Sequence, residues 1–316
     1  MDKMTSLRQI RSFVAVYEEG SFTAAAEREG ATQSGISQHV KQLEAELGVA
    51  LFERQGREVA PTLVGKKYYA ECVDVLKKLD AARQSVAVNR IGGAIRVGLM
   101  PTFTRSILTP ALETFLGSAP GSEISVIEAY SGVLTDMILK GELDFAVVPA
   151  FEGAVGISHR LIARDREVLV RARRDDAGGF AAVKLATLGP LKVVLPGMQN
   201  TRRRSIETYF ATNGVTVTQR LELDAMMGTL QFVAASDWVA ILPFIMMVSD
   251  LDGGRFDIRP LNDPPFYSEF VLIEPSRKAM SPAAAAFADI LAAEAKRAQS
   301  AFRQRFGAPG RRAARR

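Results

Sequence analysis

Short polar side chains recur along one side of a helical segment near the start of the chain. Residues 33–47 carry an apolar residue at every third or fourth position, which forms one stripe: Ile36, Val40, Leu43 and Leu47. The opposite side carries amides, hydroxyls and one cation: Gln33, Ser34, Ser37, Gln38 and Lys41. Amides bond adenine in a bidentate manner, hydroxyls adapt to several base edges, and lysine reaches guanine or phosphate. The pattern therefore indicates a helix that reads DNA, and an ordinary solvated face is the alternative.

Two further short helices precede this segment. Residues 7–17 carry apolar side chains at helical spacing, and residues 22–28 form a second helical stretch. Hydroxyls that can accept hydrogen bonds from first-turn N–H groups stand where the second and third helices begin: Ser21 and Thr32. A glycine follows each of the three helices: Gly20, Gly30 and Gly48. The N-terminal region is therefore predicted to be all-α, with a sharp turn before its third helix.

A long helical segment follows, over residues 62–89. Six positions at three- and four-residue steps form a heptad-like seam whose apolar character Arg83 interrupts: Tyr69, Cys72, Leu76, Leu79, Arg83 and Val86. A second face is also mostly apolar: Tyr68, Val75 and Ala82. A lone helix with two apolar faces is poorly soluble, so we expect it to pack on a partner, and an isolated linker is the alternative. Residues 91–93, Ile-Gly-Gly, then predict a hinge.

From residue 94 the pattern changes to alternating strands and helices. Strands are predicted over residues 94–99, 123–128, 143–148, 167–171, 191–195, 220–223, 239–242 and 270–273. Helices are predicted over residues 106–116, 131–140, 201–212, 224–235 and 282–298. Such alternation favours an α/β fold with largely parallel sheets, and two successive series predict two lobes.

The N-terminal motifs resemble the DNA-binding region of the LysR-type transcriptional regulators. The matching pieces follow one another from Leu7 to Gly65 and include GSFTAAA at residues 20–26, TQSGISQHV at residues 32–40 and LFER at residues 51–54. The resemblance implies a winged helix-turn-helix over residues 1–62, whose third helix enters the major groove and whose residues 54–62 form the wing. It implies these DNA contacts: Thr32, Gln33, Ser34, Ser37, Gln38, Lys41 and Arg54. It also implies that residues 63–90 are a linker helix through which two chains dimerise, and that dimers assemble into tetramers.

Two residues depart from the family pattern. Glu29 stands where the family usually has an apolar residue, and Gln38 stands where arginine is frequent, which predicts a different base preference. Residues 1–60 also hold seven Lys and Arg against nine Asp and Glu. Attraction to phosphate must therefore depend on the placement of a few cations: Arg8, Arg11, Lys41, Arg54 and Arg57. We expect single-site affinity to be poor and two protomers to bind together.

The remaining chain resembles the effector-binding domain of the same family, a two-lobed α/β domain akin to type 2 periplasmic binding proteins. It would span residues 91–300, with lobe I about 91–165 and 268–300 and lobe II about 166–267, before a basic, disordered tail over 301–316. Ligands of such sheets lie beyond the carboxyl ends of the strands. The predicted effector contacts are Thr102, Phe103, Thr104, Ser131, Val148, Pro149, Asn200, Thr201, Arg202 and Asp224.

Three consecutive arginines, residues 202–204, open one of the predicted helices. Helix N-termini favour anions, and a guanidinium binds a carboxylate in a bidentate manner, so a small organic anion is the hypothesis for the effector. The alternative is that Thr102, Ser131, Thr201 and Asp224 only cap helices and that at least one arginine is solvated. We expect Trp238 to pack in the core and His159 to be an ordinary surface residue, whereas His39 lies beside the DNA-reading face.

Composition narrows the function further. The net charge is +5, but four arginines of the tail supply most of that excess. One cysteine and two histidines cannot form a Cys/His zinc cluster, no Gly-rich phosphate loop occurs, and no metal, cofactor or catalytic residue is predicted. The N-terminus lacks an apolar run of signal-peptide length, and residues 239–248 are too short to span a bilayer, so we expect a cytoplasmic protein.

The sequence therefore predicts a transcriptional regulator that is not an enzyme. It would bind promoter DNA sequence-specifically, form a homo-oligomer and respond to a small-molecule effector. Binding of that effector would shift the lobes and thereby change the angle between DNA-binding pairs. A cytoplasmic solute-binding protein or an enzymatic α/β protein is the alternative.

Overall fold

The computed structural model of the chain describes residues 5–55, 58–86, 94–151, 153–174, 181–198, 200–252 and 254–307. The chain divides into two units. The first comprises Met1–Asn89 with two short segments, Ala154–Ile157 and Pro275–Ser281, and the second comprises the remaining residues. The hinge predicted at residues 91–93 and the arginines of the tail lie outside the described residues.

The first unit begins with three helices, a hairpin and a long helix. These are α1 (Leu7–Glu19), α2 (Phe22–Glu29), α3 (Gln33–Leu47), β1 (Phe52–Gln55), β2 (Glu58–Pro61) and α4 (Leu63–Val86). The predicted caps are confirmed: the Ser21 hydroxyl accepts a hydrogen bond from the N–H of Ala24, and the Thr32 hydroxyl from that of Gly35. Gly30 takes a φ of +61° between α2 and α3, a left-handed conformation that glycine adopts without strain.

The core of the first unit joins α1, α2, α3 and the first half of α4. Cys72, Val73 and Leu76 of α4 belong to the same buried cluster as Phe13 and Leu43. The ring of Tyr17 also stacks on that of Tyr69, with 3.9 Å between the centroids. The first half of the predicted heptad seam therefore packs on the chain's own helices, because periodicity identifies an apolar face without identifying what covers it. The large apolar side chains that stay exposed in the described part of α4 are Leu63, Val64 and Val75.

The second unit alternates strands with helices as predicted. Its first series is β3 (Ile95–Leu99), α5 (Pro101–Thr104), α6 (Leu108–Ser118), β4 (Ile124–Glu128), α7 (Ser131–Leu139), β5 (Phe145–Pro149) and β6 (Ile157–Ala172). Its second series is β7 (Leu191–Leu195), α8 (Thr201–Thr212), β8 (Val217–Glu222), α9 (Met226–Ala234), β9 (Val239–Pro243), α10 (Phe244–Met247), β10 (Phe256–Pro260), β11 (Tyr267–Pro275) and α11 (Pro282–Phe306).

The strands follow the order β4-β3-β5-β11-β6-β9-β7-β8, and β10 pairs with β6. Strand β3 runs parallel to β4 and β5, and β7 runs parallel to β8 and β9. The prediction of largely parallel sheets is thus right for these two groups, each of which is the centre of one lobe. Strands β11, β6 and β10 pair antiparallel with β5, β9 and β6, respectively.

Helix α11 runs through the cores of both lobes. Phe287, near its start, contacts the ring of Phe115 at 5.1 Å between centroids. Near its end, Phe302 and Phe306 contact Phe244 at 4.9 and 5.6 Å, within the core cluster of the second lobe. The tail predicted from residue 301 is therefore wrong up to Phe306, because two phenylalanines there continue the apolar face of the helix.

Candidate nucleic-acid interface and ligand cleft

The polar face of α3, which the sequence predicts to read DNA, is open to solvent. Its backing residues Ile36, Val40 and Leu43 are 1%, 2% and 0% exposed. On the opposite side Gln33, Ser34, Gln38 and Lys41 are exposed, and Ser37 is partly exposed. With Gln42 and Ala45 these side chains line an open groove along the helix. Thr32 is exposed at the start of this face, where its hydroxyl also lies 3.2 Å from that of Ser34.

Helix α3 is fixed to its neighbours by hydrogen bonds from its other sides. His39 Nδ1 lies 2.9 Å from the Ser12 hydroxyl, so this ring is bonded to α1. One carboxylate oxygen of Glu44 accepts from the backbone N–H groups of Leu51 and Phe52 at 2.7 and 3.1 Å. Glu44 therefore fixes the start of β1 against α3. Glu44 lies within the LysR-like stretch from Leu7 to Gly65, but this role was not predicted from the sequence.

Strands β1 and β2 form the predicted wing. Arg54 lies on β1 opposite Val59 of β2, and Arg57 falls outside the described residues. The base of the wing is held where α4 begins, because the Thr62 hydroxyl donates to the carbonyl of Ala50 at 2.9 Å. A Cβ atom on Gly65 would lie 2.1 Å from the carbonyl oxygen of Leu51, so only glycine fits there.

Glu29, which departs from the family pattern, belongs to an ion-pair cluster. Its carboxylate lies 3.6 Å from the guanidinium of Arg277, which also pairs with Glu18 at 3.3 Å. Glu18 in addition accepts a hydrogen bond of 2.7 Å from the Tyr69 hydroxyl and pairs with Arg28. A charged residue at the end of α2 is thus compensated, and α2 forms without an apolar residue at that position.

In the second unit, a cleft of about 650 Å³ lies beyond the carboxyl ends of β3, β4 and β8. Pro101, Thr104 and Arg105 line it after β3. From the end of β4 onward the lining residues are Glu128, Ala129, Tyr130 and Val133, and after β8 they are Asp224, Ala225, Met226, Met227 and Gly228. The hydroxyl of Tyr130 donates to the carbonyl of Asp224 at 3.0 Å and joins the two sides.

Two predicted effector contacts, Thr104 and Asp224, line this cleft. Four others are buried within the short helix α5 or at the end of strand β5: Thr102, Phe103, Val148 and Pro149. Ser131 begins α7 but is not in the cleft lining, and Asn200 caps α8 by accepting from the N–H of Arg202 at 3.0 Å. Thr201 is exposed at the start of α8. Trp238 packs on Phe232 in the core of the second lobe.

Arg202 lies in a buried ion pair. Its guanidinium donates to both carboxylate oxygens of Glu167, at 3.0 and 2.7 Å, and to the carbonyl of Ile241 at 3.1 Å. Glu167 is 0% exposed and also accepts from the Ser268 hydroxyl at 2.5 Å. Because this carboxylate is the partner of Arg202, the charge of Arg202 stabilises the interior of the domain.

Asp165 lies two residues before Glu167 on β6 and is 1% exposed. The pKa of its carboxyl is raised to about 7, mainly by burial and in smaller part by the negative charge of Glu167. The N–H of Ile245 donates to it at 2.7 Å, and this bond together with Arg202 opposes the rise in pKa. Asp165 thus titrates in the interior, close to neutral pH.

The cleft contains residues that the sequence did not select: Arg105, Glu128, Tyr130, Met226 and Met227. They lie at the end of β4, shortly after β4 or β8, or at the C-terminal end of α5, and these positions are the signal that locates them. No helix in the described part of the chain is both long and apolar enough to cross a membrane. Within the same residues, no group of three or more His, Cys, Asp or Glu is placed to hold a metal ion.

Known proteins share both units. Residues 7–66 match the family described as bacterial regulatory helix-turn-helix protein, lysR family, and residues 89–296 match the LysR substrate binding domain. Nitrogen assimilation regulatory protein nac of Klebsiella aerogenes is 27% identical over 291 residues, which cover 90% of this chain and 94% of that protein. HTH-type transcriptional regulator PcaQ of Agrobacterium fabrum is 26% identical over 267 residues, which cover 83% of this chain and 86% of that protein.

Solved structures show the same fold. A variant of full-length OxyR from Pseudomonas aeruginosa has a TM-score of 0.58 at 21% identity and covers 91% of this chain and 95% of its own. Full-length CbnR in complex with its target DNA has a TM-score of 0.54 at 24% identity and covers 92% and 99%. With two family profiles that together span most of the sequence, the chain belongs to the LysR family of DNA-binding transcriptional regulators, and residues 89–296 form its effector-binding domain.

Proposed function

We propose that this regulator reads its operator through the exposed face of α3 and that a small molecule in the cleft of the second unit modulates its activity. The observation that carries the first part is the division of α3 into two sides. Ile36, Val40 and Leu43 are buried, while the polar face opposite them lines an open groove. A helix of 15 residues held from behind in this way can enter a major groove without rearrangement.

The charge of the first unit supports binding as a dimer. Acidic residues outnumber basic ones over residues 1–60, so one copy gains little from phosphate attraction. Two copies bound together would double the number of base and phosphate contacts. We propose that the apolar side chains exposed on α4 contribute to a homodimer contact: Leu63, Val64 and Val75. Tetramers and a cytoplasmic location complete the proposal as expectations for a regulator of this family.

The structure gives less support to an organic anion as the effector. Arg202 is paired with Glu167, and Arg203 pairs with Glu207 at 2.9 Å. Arg204 is exposed, and none of the three arginines lines the cleft. The organic anion stays a prediction from sequence, and the chemical class of the effector is better argued from the groups that do line the cleft.

The DNA part of the proposal is tested by selecting duplexes from a random pool with the full-length protein. We expect a partly palindromic motif to be enriched. Gln38→Ala should relax the preference at one base pair of each half-site by about 1–3 kcal/mol, because an amide that bonds a base in a bidentate manner is lost. The matched control is Gln219→Ala, which removes the same amide from an exposed position on β8 and should leave the motif unchanged.

Two outcomes would contradict the proposed reading of DNA. The first is a pool with no enriched motif for the unmodified protein. The second is a Gln38→Ala variant that selects the same motif with the same preference at every position. Circular dichroism of both variants checks that the helices are retained, and the exposure of Gln38 predicts that they are.

A further inference from the structure

The side chains that line the cleft carry more negative than positive charge, with two carboxylates and one guanidinium. We infer that the effector is an organic cation, a small molecule with a protonated amine and an apolar body. This inference rests on the proposed role of the cleft as the effector site and adds the chemical class that the site selects. Glu128 is the last residue of β4, Asp224 follows β8, and the two carboxylates line the same cavity.

Both carboxylates are held by neutral donors. Glu128 accepts a hydrogen bond from the Thr104 hydroxyl, and Asp224 accepts one of 2.8 Å from the N–H of Gly197. In the described part of the chain neither carboxylate forms an ion pair with lysine or arginine. Each therefore keeps its negative charge uncompensated, with a second oxygen available to a ligand.

The one arginine of the lining, Arg105, is already neutralised. Its guanidinium pairs with Asp250 and donates to the carbonyl of Met246 at 2.5 Å. The side chain is 20% exposed and directed to these partners. Because Asp250 already balances the charge of Arg105, a carboxylate ligand gains little net attraction there, whereas an ammonium ligand meets Glu128 and Asp224 without displacing a protein group.

Two helix N-termini also border the cleft, and their partial positive charge alone would favour an anion. Helices α7 and α9 start at Ser131 and Met226. Each helix end is equivalent to about half a positive charge. The chain places a full carboxylate just before each of them, Glu128 before α7 and Asp224 before α9. The sum over the cleft is then about one negative charge, which matches a monovalent cation.

The rest of the lining suits an apolar body. Val133 and Met227 are 55% and 64% exposed, and Met226 and Pro101 complete an apolar wall. The ring of Tyr130 adds an aromatic surface, to which cations bind favourably. Burial raises the pKa of the Tyr130 hydroxyl, and so do the charges of Asp224 and Glu128. Both carboxylates thus act on the Tyr130 hydroxyl, which also bonds the carbonyl of Asp224, and we place the ammonium group beside it.

The test uses three probes of nearly equal shape with the full-length protein: 2-phenylethylamine, 2-phenylethanol and 3-phenylpropanoate. Dissociation constants are measured by isothermal titration calorimetry and by competition between the probes. We expect the amine to bind at least tenfold more tightly than the alcohol and the acid to bind more weakly than both. In Glu128→Gln/Asp224→Asn the amine should lose that tenfold advantage, while the affinity of the alcohol stays the same.

A second variant, Met227→Trp, fills the cleft from an exposed position and tests whether the cleft is the binding site, independently of the charge of the ligand. It should weaken the amine and the alcohol alike. If the acid binds most tightly, or if the amine binds equally well to the double variant, the cation inference is overturned while the cleft remains the effector site. If Met227→Trp changes no probe's affinity, or no probe binds, the proposed role of the cleft fails together with the inference.

Discussion

Replacing Arg202 by methionine should destabilise the second lobe of the effector domain rather than alter its ligand affinity. The substitution keeps most of the side-chain volume but removes the guanidinium donors, so that among the described residues Glu167 keeps the Ser268 hydroxyl as its side-chain donor. Glu167 is 0% exposed, so its charge would remain in the interior without a cation. Breaking a buried ion pair from one side costs about 3–5 kcal/mol, and we expect Arg202→Met to lower the free energy of unfolding by that amount.

The double variant Arg202→Met/Glu167→Gln gives the matched comparison. It removes both charges and keeps an acceptor for Ser268, and replacing both partners of a buried pair costs much less than removing one. We therefore expect the double variant to recover at least about 2 kcal/mol of the loss. Urea unfolding is followed by the fluorescence of Trp238, the single tryptophan, which lies in the same lobe.

The result that would refute this reasoning is a loss below about 1 kcal/mol for Arg202→Met, which would fall in the range of an exposed pair. A double variant no more stable than the single one would contradict it as well. Either outcome would mean that the fold does not need the charge of Arg202 to balance Glu167. The arginine would then again be a candidate for binding an anionic effector.

Three further predictions follow from the same contacts. Gly65→Ala should cost about 1–3 kcal/mol in thermal unfolding, because its Cβ would lie 2.1 Å from the carbonyl oxygen of Leu51, whereas Gly117→Ala, with open space in α6, should stabilise by up to about 1 kcal/mol. Asp165→Asn should gain stability relative to the unmodified protein as pH rises from about 4 to 7. The native pKa of about 7 lies above the unfolded value, so the native state binds the extra proton at low pH and loses stability as that proton leaves. Cys72, 2% exposed and with a pKa raised to about 11, should react with a thiol reagent at pH 8 only after unfolding, and a fast native reaction would contradict its placement.

Local signals in the sequence were sufficient for much of the fold. Residues 201–212 are a helix and residues 191–195 a strand over the predicted spans. The caps Ser21 and Thr32 also bond as expected, because a cap depends on residues within one turn. Strand β10 escaped prediction, since its antiparallel pairing with the end of β6 involves residues some 90 positions apart and leaves no periodic signal. The first half of β6 escaped prediction as well.

The ligand cleft was predicted less completely for the same reason. Its position beyond the strand ends follows from the order of strands and helices. This order predicted two of its lining residues, Thr104 and Asp224. The role of Arg202 depends on Glu167, 35 residues earlier, and no local pattern indicates that pair. Likewise, the neutralisation of Arg105 by Asp250 becomes visible only when β9 and α10 bring the two segments together.

The aromatic contacts at the end of α11 help to fix one side of the ligand cleft. Phe302 and Phe306 contact Phe244, the first residue of α10, and Met246 of the same helix receives the hydrogen bond from Arg105. A fragment of the effector domain that ends at residue 300 would lose these aromatic contacts. Helix α10, which bonds Arg105, would then be less well fixed, and the measured affinity for small molecules would differ from that of the full chain. Ligand screens on isolated effector domains of this chain therefore need every residue through Phe306.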